Sequence, residues 1–253
     1  AFLVNQYNCI GCHACEMACK QQWQGLSQSA TGKQTGPNWR RVRHFEGGKY
    51  PKPVRLFLSL SCHHCQEPAC AQACPTKRYI KRDPEWIRRQ PWIKERDGKF
   101  YVVIAPTREE EIPDHLIMSD GRLLEDGLVI YNDVIFGKGG RGDYSKHRCI
   151  QCGLCEKECP YHVPRRNPEP QDEYGPRWGK CIGCYPLVQS ASGGPPACAQ
   201  TCMGLALEMK PLETLKGLTS DVPGFRYEAT KPSVRFIPVK SPLPTNIVET
   251  PNL

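Results

Sequence analysis

Nowhere in the chain do about eighteen apolar residues run together, so no membrane-spanning helix is expected. The start, "AFLVNQYN", lacks a basic segment leading into an apolar stretch, and no export leader is expected there. Signatures of substrate chemistry are missing too: there is no G-x-S-x-G elbow, no Walker loop and no convincing G-x-G-x-x-G. "FGKGGRGDY", residues 136–144, is glycine-rich but lacks the Lys-Ser/Thr ending of a phosphate loop, so it reads as a turn. A length of 253 residues without a secretory signature argues against a small disulfide scaffold.

What the chain has in excess is cysteine, 16 residues. Sixteen loose thiols would be an oxidation hazard, so they are committed to bridges or to metal. They fall into four groups: Cys9, Cys12, Cys15, Cys19; Cys62, Cys65, Cys70, Cys74; Cys149, Cys152, Cys155, Cys159; and Cys181, Cys184, Cys198, Cys202. Each group opens with C-x2-C and closes with C-x3-C, an internal repeat with no cysteine left over. Only the third cysteine moves. It follows the second after two residues in groups one and three, four in group two and thirteen in group four.

Such spacing has a physical purpose. Short spacers let a loop curl so that several thiolates point inward while backbone N–H groups face the sulfurs, and Gly11, Gly153 and Gly183 suit that curl. The C-x3-C ending puts two thiols on neighbouring turns of one helical face, so a short helix can leave one metal centre and present its last cysteine to another. Pro75 and Pro160 restrict the backbone just past that ligand, whereas Lys20 and Met203 stand there in groups one and four.

The C-x2-C-x2-C-x3-C-P run is the bacterial ferredoxin arrangement, in which three close thiolates wrap one 4Fe-4S cubane and the fourth reaches the other of a pair. Sixteen ligands at four per cubane give four clusters in two two-cluster units. Tandem C-x2-C pairs also build the zinc knuckles of structural or nucleic-acid-binding proteins, but those rarely use triplets with a fourth cysteine four residues on. An anaerobic absorption spectrum separates the two, because only iron–sulfur centres give broad bands near about 400 nm. The spacing leaves two pairings of the groups open, sequential or nested.

The formal net charge of +8 invites a nucleic-acid or membrane reading. Four oxidised clusters at roughly −2 each would bring roughly −8 and cancel it. The basic runs "NWRRVRH", "EWIRRQP" and "VPRRNP" lie scattered among Pro and Trp, so no dedicated nucleic-acid site is expected.

At these residues the chain resembles the four-cluster iron–sulfur subunits of molybdopterin oxidoreductases, the dimethyl sulfoxide reductase and polysulfide reductase type. The blocks "NCIGCHACEMACK", "NWRRVRHFEGG", "LFLSLSCHHCQEPACAQACP", "HRCIQCGLCEKECPYHVPRRN" and "GKCIGCYPLVQSASGGPPACAQTC" match in order, over residues 1 to about 75 and 123 to about 210. The family's usual Gly-Ala after the second and third Cys-Pro is here Lys77-Arg78 and His162-Val163, which bears on loop shape rather than ligation. The resemblance implies the nested scheme. Cluster one would take Cys9, Cys12, Cys15 and Cys202; cluster two Cys19, Cys181, Cys184 and Cys198; cluster three Cys62, Cys65, Cys70 and Cys159; cluster four Cys74, Cys149, Cys152 and Cys155. Because Cys152 is intact, where some relatives replace a third-group cysteine, four 4Fe-4S centres are implied.

The resemblance further implies an electron-transfer subunit with no catalytic site of its own. Its first and fourth groups would face a molybdopterin catalytic subunit carrying molybdenum or tungsten, with the second and third nearer a membrane anchor or other carrier. The subunit would be peripheral, held at the membrane through partners, on either face. The same relay serving a hydrogenase or formate dehydrogenase is the other partner reading.

The expected fold is α+β: two ferredoxin-like two-cluster units with small sheets, short helices and long loops. One unit joins 1–61 with 176–210 and the other 62–76 with 123–175; 77–122 is an insertion, and 211–253 a C-terminal helix and extended arm. "LLEDGLVIYN", 123–132, reads as a hairpin around Asp126-Gly127, and "DGKFYVVIAP" as a strand. Trp86 and Trp92 flank Pro91 in an irregular stretch and read as local core packing, with a partner-docking patch as the alternative. Residues 24–38 read as a loop before a strand at Trp39-Arg40-Arg41-Val42, and "LETLKGL" as a short helix. Five prolines in the last residues, from Pro232 to Pro251, predict an extended arm, lying on a partner or frayed. His63 and His64, inside C-H-H-C, and His13, His147 and His162 read as packing or outer-sphere hydrogen-bonding residues rather than ligands.

Overall fold

Alternating apolar and polar residues in "RVRHFEGGK" and "KPVRLFLSL" make the longest ladder of the protein. Strands Arg41–Lys49 and Lys52–Leu60 pair antiparallel from Arg41↔Leu60 to Lys49↔Lys52. Phe45, Leu56 and Leu58 are buried on one face of the ladder, and Val42 with its partner Ser59 on the other. The computed structural model of the chain describes residues 1–23, 37–105, 108–136, 142–143, 148–166, 178–189, 193–239 and 243–250. His147 and most of 24–38 and 136–144 lie outside the described residues.

The architecture is α+β, with small sheets and short helices. Strand Phe2–Asn5 lies between Leu207–Met209, antiparallel, and Arg235–Ile237, parallel. The chain start thus meets the segment after Cys202 and the C-terminal arm. Val248–Thr250 adds to the free edge of Arg41–Lys49. The arm's described strands pair with the protein's own body rather than fraying.

Strand Tyr79–Lys81 pairs antiparallel with Val129–Tyr131, and all six residues are buried. This corrects the hairpin expected at 123–132. Asp126-Gly127 does not fold Val129–Tyr131 onto Leu123; the Asp126 carboxylate is taken by Arg82, and the Arg82 backbone bonds Gly127 and Leu128. Arg122–Leu123 pairs instead with Met118–Ser119. Within the segment expected as an insertion, 77–122, Ile93–Arg96, Lys99–Ala105 and Arg108–Glu111 form a meander, the middle strand being the one read in "DGKFYVVIAP". Its first turn, Asp97-Gly98, has φ of 51° and 74°, and Asp120-Gly121 repeats it at 51° and 73°, the positive-φ pair that two-residue hairpin turns demand.

Trp86 is not in irregular chain but in helix Pro84–Arg89, capped by Asp83 accepting from the Trp86 N–H at 2.8 Å. It is fully buried and meets Trp92 edge to face, a core role as expected. "LETLKGL" supplies a 3-10 turn, Leu212–Leu215, in place of a helix. The strand expected at Trp39 begins two residues later, at Arg41. Among the described residues no helix is long and apolar enough to cross a membrane.

Candidate metal centres

The four cysteine loops share one backbone device. The residue before the second cysteine has a left-handed conformation in every group: Gly11 at φ 70°, His64 at 45°, Gln151 at 61° and Gly183 at 70°. That kink folds the C-x2-C segment back so that both thiols face one side. A non-glycine residue there costs roughly 1–2 kcal/mol, so His64 and Gln151 are held against a local preference. A second device follows the last cysteine of groups two, three and four. Lys77, His162 and Leu205 take φ of 50°, 47° and 49°, and their N–H groups donate to the carbonyls of Cys74, Cys159 and Cys202 at 3.1, 2.9 and 3.0 Å. Lys77 and His162 stand where the resembled family has glycine, yet both take a left-handed conformation.

Only in group one does a single helix carry both thiols of the C-x3-C ending, Ala14–Gln22 with Cys15 and Cys19; Ala69–Ala73, Leu154–Lys157 and Ala197–Gln200 hold Cys70, Cys155 and Cys198 and end before the last cysteine. Ala14–Gln22 packs on Ala197–Gln200, and Ala69–Ala73 on Leu154–Lys157. Thiols from distant groups thereby become neighbours. Cys9 lies near Cys202 and Cys12, and Cys19 near Cys181, Cys198 and Cys184. Cys62, Cys65, Cys70 and Cys159 line one cavity with Lys180 and Thr230. Cys155 lies near Cys149 and Cys74. Cys152 is exposed, three residues from both Cys149 and Cys155. Among the described residues, no three His, Cys, Asp or Glu side chains close on one point as a single metal ion requires.

Family profiles bear on the same loops: "4Fe-4S dicluster domain" matches residues 8–78 and "4Fe-4S binding domain" residues 143–164. The chain is similar to the probable anaerobic dimethyl sulfoxide reductase chain YnfG of Escherichia coli (strain K12), 27% identical over 96% of this chain and 91% of the relative. It is 25% identical to a second anaerobic dimethyl sulfoxide reductase subunit of the same strain, over the same shares. These matches support a 4Fe-4S subunit of the dimethyl sulfoxide reductase type. The formate dehydrogenase-O iron-sulfur subunit of the same strain is 26% identical over 87% of this chain and 56% of the relative.

The donor set of this iron–sulfur subunit fits its cofactor. Burial pushes the Cys65 and Cys181 thiols up to about 12 and Cys155 to about 11, and raises Cys19 and Cys70 well above the ordinary thiol range. Such groups stay protonated in water-like chemistry and become thiolates only against a metal cation. N–H donors already point at sulfur: Gly183 to Cys181 at 3.3 Å, Ala206 to Cys202 at 3.2 Å and the Trp23 indole to Cys184 at 3.4 Å. These bonds stabilise negative sulfur and tune a cluster.

The histidines hold structure around these loops. His64 Nδ1 accepts the Val129 N–H at 3.0 Å, and His63 packs edge-on against Tyr161 and Phe225, its pKa lowered to about 3 by burial and by Arg40. His13 bridges Glu16 and His44, and His162 pairs with Glu156.

Sequence reasoning missed the buried cations. Arg40, inside the run "NWRRVRH", is 1% exposed, and Lys180, next to Cys181, is fully buried. Arg78 is paired with Asp133 beside Cys74. Lys180 had a signal in its contact with a ligand cysteine along the chain; Arg40 had none, because segments far away in sequence cover it.

Proposed function

We propose that the chain is a non-catalytic electron-transfer subunit carrying four 4Fe-4S clusters in single file. The ligand sets are the nested ones: Cys9, Cys12, Cys15 and Cys202; Cys19, Cys181, Cys184 and Cys198; Cys62, Cys65, Cys70 and Cys159; Cys74, Cys149, Cys152 and Cys155. One observation carries this reading. Thiols of successive sets are neighbours in order, Cys15 with Cys198 and Cys181 with Cys62, while Tyr79 feels both Cys70 and Cys155. The helix pairings support a division into two two-cluster units, 1–61 with 176–210 and 62–76 with 123–175.

Bound, the clusters supply one-electron chemistry. The polypeptide buries most of the thiols, aims N–H groups at them and leaves two openings. Cys12 and Cys152 are the exposed cysteines, and they belong to the first and last sets. Around Cys12, Tyr7, Ile10, Met17, Met203 and Leu205 are exposed despite their apolar character. Gly204 lies against the Asn8 carbonyl, so the two segments share one face. Exposed apolar patches of this kind mark docking surfaces. This end receives the molybdopterin subunit, and the end at Cys152 and exposed Ile150 faces a membrane anchor or other carrier, which keeps the subunit peripheral.

The test is purification of the tagged chain from its native cells without oxygen. Co-purification with a molybdenum- or tungsten-containing large subunit, and loss of the reduced-cluster electron paramagnetic resonance (EPR) signals when that complex turns over, are expected. A colourless, zinc-loaded chain would contradict the reading.

A further inference from the structure

Among the described residues three buried cations, Arg40, Lys81 and Lys180, have no carboxylate within ion-pair distance; Lys81 donates to the Gly127 carbonyl, and the other two are set among the cysteine loops. Arg40 donates from Nη1 to the Ser59 carbonyl and hydroxyl at 3.3 and 3.2 Å and from Nη2 to the Ser61 hydroxyl at 2.9 Å, and it lies 4.5 Å from the Phe2 ring centroid. The Ser59 hydroxyl in turn sits 3.3 Å from the Cys15 sulfur. Lys180 Nζ donates to the carbonyls of Val129 and Cys181, the latter at 3.1 Å, and lines the cavity of Cys62, Cys65, Cys70 and Cys159. By contrast, Arg78 at the last set is neutralised by Asp133.

A buried charge without a counter-ion is costly unless something of opposite sign sits beside it. For Arg40 the neighbours are Cys198, Cys181, Cys15 and Cys19, which lie close enough to act on it and would supply that opposite sign as thiolates once a cluster is bound. These four residues come from the first and second ligand sets. Lys180 acts on Cys70 and Cys159, of the third set, and adjoins Cys181, of the second.

We propose that Arg40 and Lys180 set the potentials of the interior of the relay: Arg40 raises those of clusters one and two, and Lys180 those of clusters two and three, leaving cluster four outside their reach. The inference rests on the nested ligand sets proposed above. Adding an electron makes each cluster more negative, so a fixed nearby cation favours the reduced form, and the effect falls with distance.

The experiment is a redox titration of the cluster-loaded full chain, followed by low-temperature EPR, for wild type, R40Q, R40K, K180Q and K180R. In R40Q two signals are expected to need a more negative poise, by at least about tenfold in the reduced-to-oxidised ratio, or about 59 mV for one electron. K180Q shifts a different pair that shares one member with the first, and the charge-keeping variants hold wild-type values. Unchanged potentials in both glutamine variants, or an equal shift of all four signals, overturns the proposal. If R40Q fails to assemble clusters while R40K assembles them at wild-type potentials, charge is the requirement and the proposal stands; if both fail, shape is the requirement and it falls. A wild-type chain with few irons would fail the functional reading instead, before any variant is compared.

Discussion

Arg78 and Asp133 form an ion pair in the interior, with Arg78 Nε 3.1 and 3.0 Å from the two carboxylate oxygens and side chains 4% and 0% exposed. Arg78 follows Cys74 by four residues, and its N–H points at that sulfur. Asp133 also accepts the N–H of Arg148, the residue before Cys149, at 3.0 Å. The pair therefore locks together the loops that deliver two thiols of the proposed fourth set. Stripping one partner from a buried pair costs about 3–5 kcal/mol. Asp133→Ala is expected to lower the unfolding midpoint accordingly and to lose one of four EPR signals; denaturation and EPR on the same sample check both.

Gly11 sits at φ +70° between Cys9 and Cys12, and a Cβ there would lie 2.4 Å from a carbon of the Phe57 ring. Alanine meets both the left-handed penalty, roughly 1–2 kcal/mol, and a collision with a partly buried aromatic. Gly11→Ala is expected to lose about four irons per chain, one cubane's worth. Gly98, at φ +74° with nothing within 4 Å, is the control: Gly98→Ala carries only the backbone penalty and keeps its iron.

What the sequence discloses and what it hides follow from where the constraint acts. The cysteine loops were readable because three or four residues must bend round one group, and that demand is written into consecutive positions. Pairing decided by distant segments was not. Asp97-Gly98, Asp120-Gly121 and Asp126-Gly127 are alike in sequence, but Asp126 is taken up by Arg82, Gln189 and the Leu128 N–H and lacks the positive φ of the other two aspartates. The Asp83-Pro84 helix start was written in the sequence but obscured by its tryptophans. The arm's strands depend on edges offered by Phe2–Asn5 and Arg41–Lys49, hundreds of positions earlier. Arg40 looks like any surface arginine until the hairpin, the Phe2 ring and four thiols enclose it.

Pairing of the cysteine groups has its own genetic signature. Cys19→Ser and Cys184→Ser are expected to abolish the same EPR signal, although 165 positions separate them, while Cys15→Ser abolishes another. Sequential pairing of group one with group two would instead join Cys19 to a second-group cysteine. Spectra of the three variants, recorded at matched reduction, decide between the schemes.

Docking is tested away from the thiols. Met203→Asp and Leu205→Asp put charge on side chains that are 73% and 74% exposed, so neither disturbs the core. Each is expected to weaken association with the catalytic subunit by about tenfold or more, as losing an interface anchor does, with iron content unchanged. Affinity measured alongside iron analysis checks the pair of outcomes.

The central claim is that all sixteen cysteines hold iron–sulfur cubanes and the chain conducts electrons without transforming a substrate. Iron and acid-labile sulfide analysis of the anaerobically purified chain tests it most directly. About sixteen irons and as many sulfides per chain are the expected result; far fewer of either, or stoichiometric zinc in their place, would contradict it.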